Sequence, residues 1–367
     1  MSLTKFSLSN SFKFKFSSEG RFYVKKSLGI ALVVCSLLAG CTKNPESEQP
    51  AAQSTPSTEK KIQVGMVFDK AGKDDKSFNT SAYQGALKAE KELGVTLKTI
   101  EPSDDNAYEP ALDQFASRNF DIIIAVGFIQ EEAVKKVAAR YPDHHFAIVD
   151  SKVDLPNVAS LLFEEHEGSY LVGILAGMKS KTGTIGFVGG MDIPLIHRFA
   201  VAYKAGAQSV NPKIIVKENY AGITVDAFKD PTKGKELANA QIAQNADVIF
   251  AAAGITGLGV FDAIEKSGAY GIGVDSNQNW IKPGKILTSM LKRVDVAVFN
   301  TIQDVKKGQF HGGVNMFSLQ NEGIDYAMDK YNESLITPAM KLKVDQAKQD
   351  IIRGKISVPD YYKMKKK

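Results

Sequence analysis

The feature that most constrains the fold is an alternation of short apolar runs with amphipathic helical segments, which occurs twice along the chain. The first series begins at "IQVGMVF" (62–68) and the second at "TIGFVGG" (184–190). Such alternation is typical of parallel strands that are joined by right-handed helical crossovers. A chain of 367 residues is long enough for two such units, each with its own core.

The second series echoes the first in detail. "DIIIAVG" (121–127) parallels "DVIFAAAG" (247–254), and each is followed by a helical segment and by a strand that ends in Asp-Ser. Asp150 lies 29 residues after Asp121, and Asp275 lies 28 residues after Asp247. We therefore predict an α/β protein with two similar, doubly wound parallel-sheet lobes.

The two Asp-Ser strand ends predict a binding cleft. Ligands of open parallel sheets bind beyond the carboxyl ends of the strands, so two facing lobes would direct Asp150 and Asp275 into one space. The alternative is that each acid only marks the point where an ordinary strand reaches solvent.

The predicted boundaries follow from these patterns. Residues 61–181 with 283–315 are assigned to an N-terminal lobe, and 182–282 with 316–360 to a C-terminal lobe. Because the chain must cross between the lobes more than once, we expect a hinge.

The first 40 residues read as an export signal. Lys25 and Lys26 precede the apolar run "LGIALVVCSLLAG" (28–40), which is too short for a lasting membrane anchor. Small residues directly before Cys41 resemble a bacterial lipobox, in which the Cys becomes the first mature residue and carries lipid. The alternative is a plain signal peptide with an incidental Cys. The segment before Val24 is long for such a signal, so translation from Val24 is a further hypothesis.

Residues 41–60 are rich in Pro, Ser, Thr, Gln and Glu and are predicted to be a flexible tether. The net charge of +5 resides in residues 1–40, and the 40 basic and 40 acidic residues that follow cancel. No nucleic-acid partner is therefore expected. The two Cys, Cys35 and Cys41, leave no disulfide and no other thiol for the mature chain.

The loop "FDKAGKDDKSFNT" (68–80) follows the first strand and contains several acids. Its spacing does not match a calcium-binding EF-hand loop. Asp75 or Ser77 could cap the next helix. Phe78 and Asn79, an aromatic beside an amide, suit stacking on a flat ring and hydrogen bonding to its edge.

The segment "GITGLG" (254–259) lies between a strand and a helix, where Gly254 would let a polar ligand approach the backbone closely. Asp275, 21 residues later, occupies the place where an acid binds ribose hydroxyls in dinucleotide folds. Lys292 is either a solvated side chain or a cleft residue that pairs with Asp275. Phe199 and Phe228 are the candidates for a second stacking ring, and Phe228 is preferred because helical spacing makes Phe199 a core candidate.

No metal-ligand spacing, nucleotide-binding loop or nucleophile motif occurs. We therefore predict no catalytic residue, no metal and no cofactor, and we favour binding over turnover. An exported nucleoside-processing enzyme, or the same scaffold with a sugar or signal molecule as its ligand, is the alternative.

Several motifs in order carry a family resemblance: "FDKAGKDDKSFN", "FVGGMDIP", "DPTKGKE", "AAAGITGLG", "GVDSNQ" and "SMLKRVD". With the lipobox, the chain resembles the basic membrane protein family, the purine-nucleoside-receptor lipoproteins of bacterial ABC importers, over about residues 62–320. The resemblance implies a type I periplasmic-binding fold, a lipid-anchored protein that faces the periplasm or exterior, and delivery of purine nucleosides to a permease with its ATPase subunits.

The resemblance also implies which residues bind the ligand. Base-side positions match Asp69, Phe78, Asn79 and Asp150, with Phe228 matched by a looser flanking sequence, and ribose-side positions match Gly254, Asp275 and Lys292. The chain departs from the family at Ile255, where a second Gly is frequent, and at Asn277, where Asp is usual.

Overall fold

The structure is a computed structural model that describes residues 61–364. Those residues all fall within one compact unit of the chain. The predicted signal peptide, the possible start at Val24, Cys41 and the tether to residue 60 lie outside the described residues.

Strands and helices alternate along the chain, as the sequence predicts. The strands are β1 (Gln63–Val67), β2 (Thr96–Ile100), β3 (Ile122–Val126), β4 (His145–Val149), β5 (Val158–Phe163), β6 (Thr184–Met191), β7 (Ile215–Gly222), β8 (Val248–Ala252), β9 (Tyr270–Asp275), β10 (Ile286–Lys292), β11 (Gly313–Phe317) and β12 (Ile324–Tyr326). The helices are α1 (Phe78–Leu93), α2 (Tyr108–Ala116), α3 (Glu131–Arg140), α4 (Glu165–Lys179), α5 (Pro194–Val210), α6 (Pro231–Ala243), α7 (Thr256–Glu265), α8 (Val294–Lys306), α9 (Pro338–Ile352) and α10 (Tyr361–Met364).

The strands form two six-stranded sheets of matching order. The first is β11-β5-β4-β3-β1-β2 and the second is β12-β10-β9-β8-β6-β7. The pairs are parallel except β10 with β12, which is antiparallel. Each strand of one sheet therefore has a counterpart in the other, and the ends of β4 and β9, where Asp150 and Asp275 lie, are equivalent. The prediction of two similar parallel-sheet lobes is confirmed.

The lobe boundaries differ from those assigned in the sequence. Strand β10 pairs with β9 in the second sheet, although 283–315 was assigned to the N-terminal lobe. Helix α4, assigned to that lobe with 61–181, packs on α5 and β10 of the second lobe. The chain thus crosses between lobes near residues 163–165, 292–294 and 317–324, and between the last two crossovers α8 and β11 belong to the first lobe.

Helix α4 explains why the first boundary was placed too late. Twelve of its fifteen residues are buried, so α4 has no broad exposed face to mark a lobe surface. A helix that is buried on most sides lies between other layers. Strand β5, just before it, has no counterpart among the runs singled out in the sequence.

The largest apolar cluster contains residues from both lobes, and smaller clusters lie under α2 and α3 and under α6 and α7. Within residues 61–364 no helix combines the length and apolar character needed to cross a bilayer.

The two sheets place the carboxyl ends of their parallel strands at a shared interlobe space.

Candidate functional site

A cleft of about 820 Å³, including its opening to solvent, lies between the carboxyl ends of the two sheets. Seven of the eight ligand-binding residues predicted from the sequence line it. The first lobe contributes Asp69, Phe78 and Asp150, and the second contributes Phe228, Gly254, Asp275 and Lys292. The eighth, Asn79, is buried directly behind this surface.

Asp69 and Asn79 form one polar unit at the end of β1. The Asn79 amide Nδ2 donates to Asp69 Oδ1 over 2.6 Å, and the backbone N–H of Ala71 donates to the same oxygen over 2.9 Å. Burial raises the pKa of Asp69, and these hydrogen bonds oppose the rise. Asn79 Oδ1 is buried and has no hydrogen-bond partner among the residues that the structure describes. The unit therefore holds unused hydrogen-bonding capacity next to the cleft.

The loop before α1 is organised by Asp75. Its carboxylate accepts from the backbone N–H groups of Ser77, Asn79 and Thr80, each over 2.9 Å. Capping of this kind satisfies the free N–H groups of the first helical turn. It also fixes the first residue of α1, Phe78, with its ring in the cleft.

Of the two alternatives for Lys292, the structure shows the cleft residue, but its partner is Asp150 and not Asp275. Its Nζ lies 2.5 Å from Asp150 Oδ2, and both side chains are buried. Burial disfavours the ammonium, but Asp150, Asp275 and Glu165 together outweigh burial and raise the pKa of Lys292. Because Lys292 belongs to β10 and Asp150 follows β4, this ion pair joins the two lobes.

Asp275 has a different partner. Its Oδ2 accepts from the Ser77 hydroxyl over 2.7 Å, also across the cleft. Burial raises the pKa of Asp275 to about 6, while Lys292 and the Ser77 hydrogen bond oppose the rise. The two equivalent strand-end acids therefore meet different neighbours.

Backbone conformation repeats the symmetry of the two strand ends. Asp150 and Asp275 have φ of 66° and 63°, a left-handed conformation that is uncommon for residues other than glycine. Gly127 after β3 and Gly254 after β8 also have positive φ, 111° and 56°. Such conformations persist where the surrounding structure enforces them, and they cluster at ligand sites.

Four phenylalanines line the cleft, two more than were predicted from the sequence. Phe78 and Phe128 belong to the first lobe, and Phe199 and Phe228 belong to the second. Phe199 is also part of the apolar core, so it is both a core residue and a cleft residue. The Phe78 ring centroid lies 4.8 Å from Lys292 Nζ, and that of Phe199 lies 5.9 Å away.

Further contacts hold the lobes together at the cleft mouth. Ser276 Oγ donates to the Ser77 carbonyl over 2.7 Å, and Lys229 Nζ donates to the Lys70 carbonyl over 2.9 Å. Lys70 and Lys229 line the cleft and were missed in the sequence, where isolated lysines in loops carry no signal.

The two departures from the family pattern lie beside the cleft. Asn277 donates through Nδ2 to Asp329 Oδ2 over 2.6 Å, a contact in which an Asp would repel the second carboxylate. Ile255 directly precedes α7 and, like Asn277, is absent from the cleft lining.

Comparisons with known proteins agree with this architecture. The family model for the PnrA-like ABC transporter substrate-binding proteins, named Bmp, matches residues 62–361. The ABC transporter nucleoside-binding protein BmpA of Lactococcus lactis is 33% identical over 353 residues, which cover 90% of this chain and 97% of that protein. Basic membrane protein A of Borreliella burgdorferi is 32% identical over 305 residues, with 81% of this chain and 87% of that protein covered.

An uncharacterized lipoprotein of Pyrococcus horikoshii is 36% identical over 309 residues, covering 81% of this chain and 75% of that protein. Among solved structures, an ABC transporter solute-binding protein from Aeropyrum pernix K1 superimposes with a TM-score of 0.75 at 33% identity, covering 81% of this chain and 94% of that one. The matches extend over both lobes and the crossovers between them.

Proposed function

The chain belongs to the Bmp family of PnrA-like ABC transporter substrate-binding proteins, with a type I periplasmic-binding fold, and we propose that it captures purine nucleosides such as guanosine, inosine and adenosine in the interlobe cleft. The name of the nucleoside-binding relative from Lactococcus lactis supports this ligand class.

One observation carries the proposal: flat aromatic rings and buried acids from both lobes meet in a single cleft. We assign Phe78 and Phe228 to the two faces of the base. Such a ring pair contributes about 0.5–1.5 kcal/mol beyond the burial of apolar area. We assign Asp69 and Asn79 to the edge of the base, because the unused Asn79 oxygen and the Asp69 carboxylate offer acceptors for ring N–H groups.

The ribose is assigned to the opposite side, with Asp275, Gly254 and Lys292. A carboxylate that accepts from sugar hydroxyls forms charge-assisted hydrogen bonds, each about 1.5–3 kcal/mol. The resemblance assigned Asp150 to the base side, but its ion pair with Lys292 supports a role in holding the lysine.

The charge of the cleft favours an uncharged ligand. Four acids line it, Asp69, Asp75, Asp150 and Asp275, against three lysines, and Lys292 is already paired with Asp150. A phosphate group would meet carboxylates, so free nucleosides should bind more tightly than nucleotides.

Anchoring and partners complete the proposal. A lipid on Cys41 would hold the protein at a membrane surface, facing the periplasm or exterior, and relatives that carry the name lipoprotein support this placement. The ABC transporter family implies a permease and ATPase subunits as partners. Closure of the two lobes around the ligand would present a composite surface to the permease.

Calorimetry with inosine, guanosine, adenosine, inosine monophosphate and free ribose tests the proposal. We expect heat with the purine nucleosides, weaker binding of the monophosphate and ribose, and unchanged nucleoside by chromatography after incubation. No heat with any purine nucleoside contradicts the proposed ligand. Release of free base would instead favour the nucleoside-processing enzyme, and equal affinity for ribose would favour a sugar-binding protein.

A further inference from the structure

A buried charge cluster surrounds the first crossover between the lobes, next to the proposed ligand site. Its centre is Arg198 on α5, which is only 6% exposed. The guanidinium contacts the Phe163 carbonyl at the end of β5 over 3.0 Å and four side chains over 2.9 Å each. Those side chains are Glu164, Glu165, His166 and Asp360, which together with Arg198 we name the crossover cluster.

The cluster has the composition of a metal site but already contains its cation. Glu164, His166 and Asp360 place one ligand atom each within 4.8 Å of one another. Arg198 Nη2 lies 2.9 Å from both Glu164 Oε2 and His166 Nδ1, and 3.5 Å from Asp360 Oδ2. Burial and the guanidinium lower the pKa of His166 to about 4, so the ring is neutral and can accept a hydrogen bond at Nδ1. The guanidinium therefore takes the place that a metal ion would need.

The acids of the cluster are not equivalent. Glu165 Oε2 contacts Arg198, but Glu165 Oε1 is buried without a hydrogen-bond partner in residues 61–364. Burial raises the pKa of Glu165 to about 7. Burial also opposes ionisation of Asp360, but Arg198 outweighs burial and lowers its pKa. Asp360 is thus the ionised partner of Arg198 near neutral pH, whereas burial opposes the ionisation of Glu165.

The crossover cluster is connected to Lys292 through Phe163 and Phe199. Arg198 holds the carbonyl of Phe163 and directly precedes Phe199 in α5. The ring centroids of Phe163 and Phe199 lie 5.3 Å and 5.9 Å from Lys292 Nζ. Two of the three rings around Lys292 therefore belong to residues next to Arg198: its guanidinium binds the carbonyl of Phe163, and Phe199 follows it in α5.

The C-terminal segment closes the cluster from the other side. Asp360 Oδ1 accepts from Arg198 Nε over 2.9 Å. The Tyr362 ring of α10 lies 4.7 Å from the guanidinium carbon, and Tyr361 stacks on His197 with 4.7 Å between ring centroids. A segment near the end of the chain is thereby attached to the crossover.

We propose that Arg198 and Asp360 are positioning residues for ligand binding, which act through Phe163 and Phe199 on Lys292, and that the C-terminal segment is consequently part of the binding machinery. This inference rests on the proposed nucleoside-binding function. Neither residue lines the cleft, so their effect is on the arrangement of Lys292 and not on direct contact with ligand.

The test compares inosine binding by the full-length protein and its Asp360→Asn variant, which keeps the shape and removes the charge. We expect affinity to fall about 3- to 30-fold, mainly through faster dissociation, which is the size of effect found for residues that couple to a site without touching ligand. The conservative Asp360→Glu variant should recover most of the loss, because it restores the ionised partner of Arg198.

Two controls separate positioning from loss of stability. Glu265→Gln breaks an exposed ion pair with Lys282 on the second lobe, and Ile264→Ala opens a cavity in the core under α7. Both should leave inosine affinity within about twofold, although Ile264→Ala should lower the unfolding midpoint. If Ile264→Ala weakens binding as much as Asp360→Asn does, the positioning role is overturned.

The outcomes also separate this inference from the proposed function. Wild-type protein that binds no purine nucleoside contradicts the proposed function itself. Wild-type protein that binds inosine, with Asp360→Asn unchanged within about twofold, overturns only the positioning role. If Asp360→Asn does not fold, Tyr362→Ala removes the half-exposed ring over the guanidinium; faster inosine dissociation then supports the inference, and unchanged dissociation overturns it.

Discussion

The ends of β4 and β9 occupy equivalent places in the two lobes, yet the acids at these ends have different partners. Asp150 and Asp275 both end a buried strand in a left-handed conformation and both reach across the cleft. Asp150 is neutralised by Lys292, whereas the hydrogen-bond partner of Asp275 is the Ser77 hydroxyl. Repetition of the fold thus sets where an acid lies, and the neighbouring strands and loops decide which partner it contacts.

The difference originates in the adjacent strands. Strand β10 ends in Lys292, and its counterpart β5 ends in Phe163. The second lobe therefore supplies the central cation and the first supplies an apolar ring beneath it. Because Lys292 bonds to the acid of the opposite lobe, this asymmetry also links the lobes.

The largest expected effect follows from removing that cation. Lys292→Met leaves Asp150 buried without its partner, and we expect the free energy of unfolding to fall by about 3–5 kcal/mol, as measured for broken buried ion pairs. Denaturant unfolding measures this change, and calorimetry with inosine should show affinity lost as well.

The double variant Lys292→Met with Asp150→Asn is the control. It removes the uncompensated charge and should recover most of the stability, because the cost arises from the stranded carboxylate. Equal stability losses in the single and double variants would mean that the stranded Asp150 carboxylate is not the source of the loss.

Asp275→Asn should change the pH dependence of stability. The pKa of Asp275 in the folded protein, about 6, lies above the ordinary value of 3.8. Between these values the folded state retains a proton that the unfolded state has lost, so the free energy of unfolding decreases as pH rises. Relative to wild type, the free energy of unfolding of the ligand-free Asp275→Asn variant should therefore be higher at pH 7 than at pH 4, by about 1–3 kcal/mol.

Unfolding curves of wild type and variant between pH 4 and pH 8 measure this difference. Glu165, whose pKa is also raised, contributes to the slope of both proteins and cancels in the comparison. Parallel pH slopes would show that Asp275 is not destabilised by burial. The same variant should bind inosine less tightly at pH 7, since the carboxylate is lost from the ribose side.

The smallest expected effects concern the two stacking rings. Phe78→Leu and Phe228→Leu should each weaken inosine binding by about 0.5–1.5 kcal/mol, because each keeps an apolar side chain but loses the aromatic face. Phe261→Leu, in the core of the second lobe, is a control that should lower stability and leave affinity unchanged. A loss confined to one ring would disprove the sandwich between lobes.

Much of the site could be predicted because it lies at strand ends. Asp69, Asp150, Gly254 and Asp275 stand at or just beyond the ends of buried strands, and the repeated pattern predicts that those ends face one another. Pairing of Lys292 could not be predicted, since its distances to Asp150 and Asp275 depend on how the lobes meet. The contacts of Arg198 were also missed, because its partners come from two distant places in the chain, residues 163–166 and Asp360.

The sequence by itself determined the two-lobed parallel-sheet fold, since the periodicity of apolar residues and the lengths of the segments are local properties. It also determined which residues stand at the carboxyl ends of the strands. Only the tertiary structure decided the lobe to which α4 and β10 belong, the pairing of Lys292 with Asp150 and the attachment of the C-terminal segment at Arg198. These are contacts between residues far apart in the chain, whose energies depend on burial and on distances of a few ångströms.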